Sequence, residues 1–366
     1  MLIINEFIKL LIPINIINKM NKGKIGENLI ISPLSIFQAL SLTANGAKGE
    51  TLSEMLELLE CNSLEDLNEI NYKIISVIKD FTTIDIANAV MPRFSPSKNF
   101  IYMAEKYSAT VEPLVSLEQV NGWCSEKTNG KIDKIIERLD PDTVMILLNA
   151  VYFKGEWLNQ FNEYSTKKLL FYNLGSEEKE VDTMTQISHF RYYEDKRVQA
   201  IELEYVDDNI SSLIILPSAE IDINNYINTI CNLNDEYTKI VEGLRLAKVN
   251  LNLPKFELSF SEELNQILID LGMYSAFRPI ADFSGIKENS NLFIDRVLHK
   301  TYLKVNEEGT EAAAITAVIF TNGTMPVRPE IIYDMKVNRP FLFLLRNSKL
   351  PEGLDLLFMS KIEKIE

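Results

Sequence analysis

The stretch NEEGTEAAAITAVIFTNGTMPVRPEI, from Asn306 to Ile331, joins a buried-strand pattern directly to a surface-loop pattern. If Thr310 to Phe320 is a strand, period-two alternation places small, β-branched and aromatic side chains on one face, with no charge among them. Asn-Gly, two prolines and an arginine follow, which is typical of an accessible loop. An ordinary core strand ending in a turn explains the stretch alone. An exposed edge strand of this kind would promote aggregation.

The chain of 366 residues has an ordinary globular composition and an acidic charge balance. Apolar residues make up 46% and charged residues 24%, which is enough to bury a large core. The formal net charge of -15 argues against nucleic acid or an anionic membrane as the main partner, because both attract basic surfaces. No apolar run approaches the roughly 18 residues that a membrane-spanning helix needs.

Few side chains are suited to catalysis or metal binding. Cys61, Cys124 and Cys231, at unrelated spacings, fit neither a disulfide framework nor a zinc site, and we expect free thiols. The only histidines are His189 and His299, and no HExxH, GxSxG, phosphate-loop or dinucleotide motif is found. We therefore expect no metal, no cofactor and no enzymatic activity, although a Ser-His-Asp triad of distant residues stays open.

The N-terminal stretch MLIINEFIKLLIPINIINKM raises the question of a signal peptide. Polar residues interrupt its apolar run at Asn5, Glu6 and Lys9, and no positive segment precedes it. The pattern favours an amphipathic helix packed on the core. We therefore expect a cytoplasmic protein, with extracellular release by a non-classical route as the alternative.

Two segments carry clear helical patterns. TLSEMLELLE has its leucine and methionine side chains on one face, and Thr51 with Glu54 matches a capping box. SEELNQILIDLG repeats the pattern, and Gly272 is the expected stop. Helical segments come mainly in the first third of the chain, which favours an α+β fold over a wound parallel sheet.

Strand patterns dominate the later part of the chain. Val144 to Leu148 is a continuous apolar run, typical of a strand covered on both faces. KVNLNLPKF alternates apolar residues with asparagine, which predicts a half-exposed strand. FLFLL and DLLFM, joined by NSKLPEG, predict a hairpin. Because no linker or internal repeat interrupts these patterns, we expect a single domain over residues 1–366.

A series of segments, in their order along nearly the whole chain, resembles the serpins, a large family of loop-inserting protease inhibitors. The segments are NLIISPLSI, ANGAKGET, TNGKIDKI, LNAVYFKGEW, VNLNLPKFEL, LGMYSAFRPIADFSGI, VLHKTYLKVNEEGTEAAA and MKVNRPFLFLL. The resemblance implies three β-sheets, eight or nine helices and an exposed reactive-centre loop at about residues 307–331. It also implies a monomer whose partner is a serine protease held in a covalent complex.

The resemblance gives the opening stretch the role of bait. A target protease attacks a bond near the loop tip and forms an acyl-enzyme, and the cleaved loop then inserts into the main sheet and distorts the protease. The implied hinge of the loop consists mainly of small, uncharged residues that can enter a sheet easily. It also contains two glutamates. The hinge residues are Glu307, Gly309, Thr310, Glu311, Ala312, Ala313 and Ala314.

The family's usual spacing, counted from Glu307 as the hinge glutamate, places the cleaved bond between Gly323 and Thr324. A shift of one residue would put Asn322 or Thr324 before the cut, so that Asn322–Gly323 and Thr324–Met325 are the alternative bonds. Met325 directly precedes a proline, as does Arg328, and a proline after the cut removes the amide hydrogen and usually blocks serine proteases. A glycine at this position favours an elastase-like target.

Control residues also follow from the resemblance. The shutter, a polar cluster beneath the centre of the main sheet, is expected at Ser32, Ser35, Asn149 and His299. Trp157 is expected at the breach, the top of the sheet where insertion begins. Activation by heparin is not expected, because SLEDLNEINYKIISVIKD, the implied binding helix, is mostly acidic. A cross-class inhibitor of cysteine proteases and a non-inhibitory serpin that acts as a binding or chaperone-like protein are the alternative functions.

Overall fold

The computed structural model of the protein describes residues 11–79, 83–207, 209–232, 234–288, 291–310, 331–350 and 354–366. Within these ranges the chain forms nine α-helices and sixteen β-strands in three sheets. The predicted α+β class is confirmed, and the first six helices all precede Thr128.

The elements are numbered in chain order. The helices are α1 (Leu11–Gly23), α2 (Pro33–Ala44), α3 (Gly49–Leu58), α4 (Leu64–Ile78), α5 (Lys98–Lys106), α6 (Leu117–Lys127), α7 (Ile223–Asn232), α8 (Asn234–Gly243) and α9 (Asn265–Asp270). The strands are β1 (Leu29–Ile31), β2 (Ile84–Pro92), β3 (Thr110–Val111), β4 (Met145–Phe153), β5 (Gly155–Glu156), β6 (Lys167–Asn173), β7 (Glu177–Glu194), β8 (Val198–Glu204), β9 (Ile210–Pro217), β10 (Arg245–Pro254), β11 (Phe256–Glu263), β12 (Arg296–Val305), β13 (Gly309–Thr310), β14 (Ile332–Lys336), β15 (Phe341–Asn347) and β16 (Leu356–Ile362).

The largest sheet has nine strands in the order β1-β16-β15-β9-β8-β7-β10-β14, with β6 paired to β7. The predicted C-terminal hairpin is confirmed as β15 and β16, which pair antiparallel and are almost wholly buried. The predicted half-exposed strand is β10, in which Val249, Leu251 and Leu253 are buried and the asparagines between them are half-buried.

The five-stranded sheet runs in the order β11-β12-β4-β2-β3. Its central strand β4 contains Met145 to Leu148 of the predicted apolar run and extends to Phe153, with all nine residues buried, whereas Val144 precedes the strand and is exposed. The even-numbered residues of β4, such as Ile146 and Leu148, pack with α6 and the chain that follows it, whereas Met145 and Leu147 face the main core. Both faces are therefore covered, as a continuous apolar run predicts.

Helix α1 packs its apolar face on the body of the protein. Ile16, Ile17 and Met20 are buried, and the helix contacts α2, α7 and α9. The predicted N-terminal amphipathic helix is thus confirmed for Leu11–Gly23, while residues 1–10 lie outside the described residues. None of the helices in the described ranges has the length and hydrophobicity to cross a membrane.

The predicted capping box of α3 is wrong. The helix begins at Gly49, with Lys48 at its N-cap position and no side-chain cap. Thr51 lies inside the first turn, and its hydroxyl accepts the backbone N–H of Asp282 at 3.0 Å. Glu54 accepts bonds from the N–H and hydroxyl of Ser275 at 2.6 and 2.7 Å. Both side chains fit the capping pattern but bind a distant segment instead.

Helix α9 is shorter than predicted. Ser261 to Glu263 belong to β11, because each residue of that strand pairs with β12. Leu264 and Leu268 are buried, as the predicted apolar face requires. Gly272 follows the helix with φ of +108°, a conformation that favours glycine and ends the helix as expected.

The Glu54 contacts predict that α3 is held mainly through this carboxylate. Glu54→Ala should lower the free energy of unfolding by about 1.5–3 kcal/mol, because it leaves the donors of Ser275 without their charged acceptor. Glu57→Ala, at an exposed position of the same helix, is the matched control. Thermal unfolding of both variants measures the difference, and an equal loss in the two would contradict the assignment.

Candidate functional site

The candidate site lies along the pairing of β4 with β12, which we call the seam. The two strands are parallel, in register from Ile146 opposite Arg296 to Tyr152 opposite Tyr302. Their outer neighbours β2 and β11 run antiparallel to β4 and β12 respectively. Parallel pairs are slightly less stable per residue than antiparallel pairs. A strand placed between β4 and β12 in the opposite direction would therefore replace one parallel ladder by two antiparallel ladders.

The head of the seam is occupied by the first residues of the predicted loop. After β12 ends, the chain reverses so that Gly309 lies opposite Glu156 and Thr310 opposite Gly155, in antiparallel pairing. The N–H of Asn306 donates to the carbonyl of Gly309 at 2.9 Å and closes this turn. The hinge thus approaches the extension of β4 in the direction that an inserted strand would need.

Gly309 and Gly155 meet in a contact that leaves no room for a side chain. A Cβ atom on Gly309 would lie 2.1 Å from the carbonyl oxygen of Gly155. A Cβ atom on Gly155 would lie 2.6 and 2.7 Å from the rings of Phe153 and Tyr205. The sequence predicted Gly309 for its backbone freedom, whereas the described structure requires glycine there for close approach.

Thr310 is fully buried, and its hydroxyl has a partner. It shares a hydrogen bond of 2.7 Å with the hydroxyl of Tyr205, which shares a second of 2.7 Å with Ser212 in β9. Burial raises the pKa of Tyr205, so its hydroxyl keeps its proton. Tyr205 therefore links the hinge to the nine-stranded sheet, a role that the sequence did not predict.

Trp157, predicted at the top of the sheet, contacts the hinge directly. The residue is 1% exposed, and its ring stacks on Tyr205 with centroids 4.4 Å apart. Its Nε1–H donates to the carbonyl of Asn306 at 2.9 Å, and its backbone N–H donates to the carbonyl of Glu308 at 3.0 Å. Two donors of one residue thus hold the turn that precedes Gly309.

Glu307 anchors the same turn through its carboxylate. Lys255 Nζ lies 2.9 Å from one oxygen, and the hydroxyl of Thr166 donates to the other at 2.6 Å. Burial raises the pKa of the Glu307 carboxyl, but these two contacts together outweigh it and hold the pKa below its usual range. The carboxylate therefore stays charged and paired at neutral pH.

Three polar side chains lie in register across the middle of the sheet, on strands β2, β4 and β12. Asn88 is opposite Asn149, and Asn149 is opposite His299. The Asn149 amide donates to Asn88 Oδ1 at 2.6 Å and also to the hydroxyl of Ser35. His299 Nδ1 lies 2.5 Å from Asn149 Oδ1, and the backbone N–H of Ser32 donates to His299 Nε2 at 3.1 Å. These contacts assign the His299 proton to Nδ1.

The structure thus brings together all four residues predicted for the polar cluster, with one difference in detail. Ser32 takes part through its backbone N–H, while its buried hydroxyl has no partner among the described residues. The sequence missed Asn88, whose only signal is a lone asparagine in the strand IDIANAVMP. Burial lowers the pKa of His299 from 6.5 to about 3, so the cluster is uncharged at neutral pH.

The remaining predicted site residues lie outside the described residues, which do not include 311–330. These residues are Glu311, Ala312, Ala313, Ala314, Asn322, Gly323, Thr324 and Met325. Among the described residues, no group of three or more His, Cys, Asp and Glu side chains could hold a metal ion.

Comparison with known proteins identifies the family. The family model described as Serpin (serine protease inhibitor) matches residues 12–365. The leukocyte elastase inhibitor of Xenopus laevis is 34% identical, covering 91% of this chain and 93% of its own length. Serpin B8 of Homo sapiens is 32% identical, covering 88% and 90%. The crystal structure of tengpin, a thermophilic serpin in the native state, superimposes with a TM-score of 0.87 at 31% identity, covering 100% and 96%. The chain belongs to the serpin family, whose members are mostly protease inhibitors and include non-inhibitory proteins.

His299 predicts a specific dependence of stability on pH. The folded protein keeps His299 neutral down to about pH 3, whereas the unfolded chain binds a proton below about pH 6.5. Its contribution to stability is therefore complete above about pH 6.5 and is lost as the pH falls toward 3, by up to about 1.4 kcal/mol per pH unit.

We expect the thermal midpoint of the wild type to fall between about pH 7 and pH 5, and to fall less steeply in His299→Asn. Equal slopes in the wild type and His299→Asn would contradict the role of burial.

Proposed function

We propose that this chain is an inhibitory serpin, a suicide-substrate inhibitor of serine endopeptidases whose bait is the loop at about residues 307–331. The observation that carries the proposal is the antiparallel pairing of Gly309 and Thr310 with the chain at the head of a parallel seam. Insertion would only extend a pairing that already exists. The backbone N–H and C=O groups of the inserted strand would bond to β4 on one side and to β12 on the other.

The length of the apolar stretch supports this proposal. If the register of Thr310 opposite Gly155 continues one residue at a time, Phe320 comes opposite Met145, the first residue of β4. The stretch whose one face is uncharged, Thr310 to Phe320, therefore matches the length of the seam. The polar residues after Phe320 would pass beyond the sheet into water.

The chemistry of the trap follows from the order of events. The serine hydroxyl of a protease attacks the carbonyl carbon of Gly323, the bond to the nitrogen of Thr324 breaks, and Thr324 leaves as a new amino terminus. Gly323 is then held to the protease as an ester. Water would hydrolyse this ester, but insertion of the strand first carries the attached protease beyond the far end of the seam. Gly323 lies 13 residues after Thr310, a distance of roughly 44 Å at about 3.4 Å per residue.

The hinge and the polar cluster control the insertion. Small side chains at Ala312, Ala313 and Ala314 would enter the sheet without displacing their neighbours. Thr310 already occupies its buried place, and Trp157 holds the turn before it. The hydrogen bond between Asn149 and His299 crosses the seam, so it must break before a strand can pass. A neutral hydrogen-bonded cluster can rearrange at a lower cost than a buried ion pair.

An elastase-like serine protease is the proposed target. A glycine before the cut fits a shallow specificity pocket, and the relative from Xenopus laevis is named as an inhibitor of leukocyte elastase. Cysteine proteases and a non-inhibitory role are the competing outcomes of the experiment below.

The proposal predicts a covalent complex. Incubation with a panel of serine and cysteine proteases should give an adduct stable in SDS with an elastase-like serine protease, and mass spectrometry should find the new amino terminus at Thr324. Free cleaved protein should melt at a higher temperature than intact protein. Cleavage in the loop with neither an adduct nor a higher melting temperature would contradict the inhibitory function. An adduct with a cysteine protease alone would contradict the proposed serine protease target and identify cysteine proteases as the target class.

Thr310→Arg should convert the inhibitor into a substrate. Thr310 is fully buried before insertion, so an arginine at this position should displace the hinge from its pairing with Gly155. Insertion must then bury an unpaired guanidinium, which should slow it at least tenfold, so hydrolysis of the ester should precede trapping. The number of inhibitor molecules consumed per protease inhibited should rise at least tenfold. Thr310→Ser, which keeps the hydroxyl bonded to Tyr205, is the matched control and should inhibit like the wild type. Undiminished inhibition by Thr310→Arg would contradict the proposed path of the hinge.

A further inference from the structure

A side chain closes the end of the seam opposite the hinge. Asp295 directly precedes β12, and its Oδ2 accepts the backbone N–H of Val144 at 2.6 Å and that of Met145 at 3.0 Å. Met145 is the first residue of β4 and Val144 directly precedes it, and the ladder with β12 starts at the next position, where Ile146 lies opposite Arg296. The carboxylate thus bridges the two strands at the point where their backbone pairing ends. We call this bridge the foot clasp.

The foot clasp is held in position by α9. The side-chain amide of Asn265 donates to the carbonyl of Asp295 at 2.6 Å, and its oxygen accepts the N–H of Val297 at 2.8 Å. The next residue, Arg296, pairs with Glu263 of β11 at 2.7 Å. The backbone on each side of Asp295 is therefore fixed, which lowers the conformational entropy lost when the carboxylate binds β4.

The foot clasp differs from the backbone ladder of the seam in what insertion does to it. Backbone groups of β4 and β12 that lose each other would find new partners on an inserted strand. With a strand between them, β4 and β12 would lie about 10 Å apart, which a short aspartate side chain cannot span. Asp295 can therefore stabilise the closed sheet but not the opened one. Bonds from backbone N–H groups to a carboxylate are also stronger than neutral ones.

We propose that Asp295 is a positioning residue that keeps the foot of the seam closed and resists the last step of strand insertion. This role rests on the proposed inhibitory function. In the continued register Phe320 arrives opposite Met145, so the end of the inserting strand reaches the two residues that the foot clasp holds. The clasp stabilises the intact protein against premature insertion, and it must open for insertion to be completed.

The test compares intact protein with protein nicked in the loop. Asp295→Ala should lower the thermal midpoint of the intact form and leave that of the nicked form unchanged, because the clasp is already open after insertion. Asp222→Ala is the matched control, since Asp222 accepts the N–H groups of Asn224 and Asn225 at 3.0 Å each, at the start of α7 and away from the seam. It should lower both midpoints equally. An equal loss in both forms of Asp295→Ala would reduce Asp295 to an ordinary structural residue and overturn the proposal.

The rate of uncatalysed conversion gives a second readout. On incubation a few degrees below its midpoint, uncut Asp295→Ala should lose inhibitory capacity on the order of tenfold faster than the wild type, because two charge-assisted hydrogen bonds no longer oppose opening. Asp295→Asn, whose neutral amide oxygen can still accept both bonds, should lie between them. A rate equal to that of the wild type in Asp295→Ala would contradict the proposal.

Hydrogen exchange separates a failure of this inference from a failure of the proposed function. If nicked wild-type protein is no more heat-resistant than intact protein, strand insertion is wrong, whatever Asp295 does. In that case, exchange of the Val144 and Met145 amides on the order of tenfold faster in intact Asp295→Ala than in Asp222→Ala still supports a clasp that keeps the seam closed. Unchanged exchange overturns the clasp itself.

Discussion

The parallel pairing of β4 with β12 is the constraint on which the rest of the structure depends. Both strands are buried between α6 on one side and the main core on the other, so neither can leave the sheet. They can only move apart. A parallel pair whose strands are not consecutive in the chain can accept an additional strand of opposite direction without breaking the antiparallel pairings outside it. The chain supplies the beginning of such a strand at Gly309 and Thr310.

Charged and neutral side-chain contacts lie at different positions along the seam. On the face that packs against the main core, the cluster in the middle of the seam is neutral, since His299 is uncharged and its partners are an amide and a backbone N–H. Charged groups appear at the two ends, where Glu307 pairs with Lys255 at the head and Asp295 binds β4 at the foot. A buried charge in the middle would have to lose its partner at every opening, at a cost of several kcal/mol. The observed distribution avoids that cost while keeping the closed sheet in register.

Sequence patterns predicted the fold where the signal is repeated and failed where it is local. The apolar run was confirmed from Met145 to Leu148, as was the alternation around Val249, because burial on one or both faces leaves a regular pattern in the sequence. Thr51 and Glu54 match a capping box by spacing alone, yet their partners are residues more than two hundred positions away. Contacts between such distant residues leave no periodic pattern in the sequence, so a rule based on local spacing assigns these side chains to the wrong partners.

The residues of the candidate site also divide into those that the sequence predicted and those that only the folded structure reveals. The cluster around Asn149 and His299 was predicted through the resemblance to the family, and the structure brings its members into contact. Asn88, Tyr205 and Asp295 were not predicted, because each acts through a neighbour that only the folded sheet provides. The requirement for glycine at Gly309 was predicted, but its physical reason, the approach of Gly155, is visible only in three dimensions.

The contacts of Trp157 have a consequence for observing this protein at work. The chain has two tryptophans, and this indole ring stacks on Tyr205 and donates to Asn306 in the turn before the hinge. The other, Trp123, lies on α6 at the far face of the sheet. Displacement of the turn changes the dielectric surroundings of Trp157, one of these two buried fluorophores. The protein therefore carries an intrinsic optical reporter at the place where its sheet opens, and its emission records that movement without an attached dye.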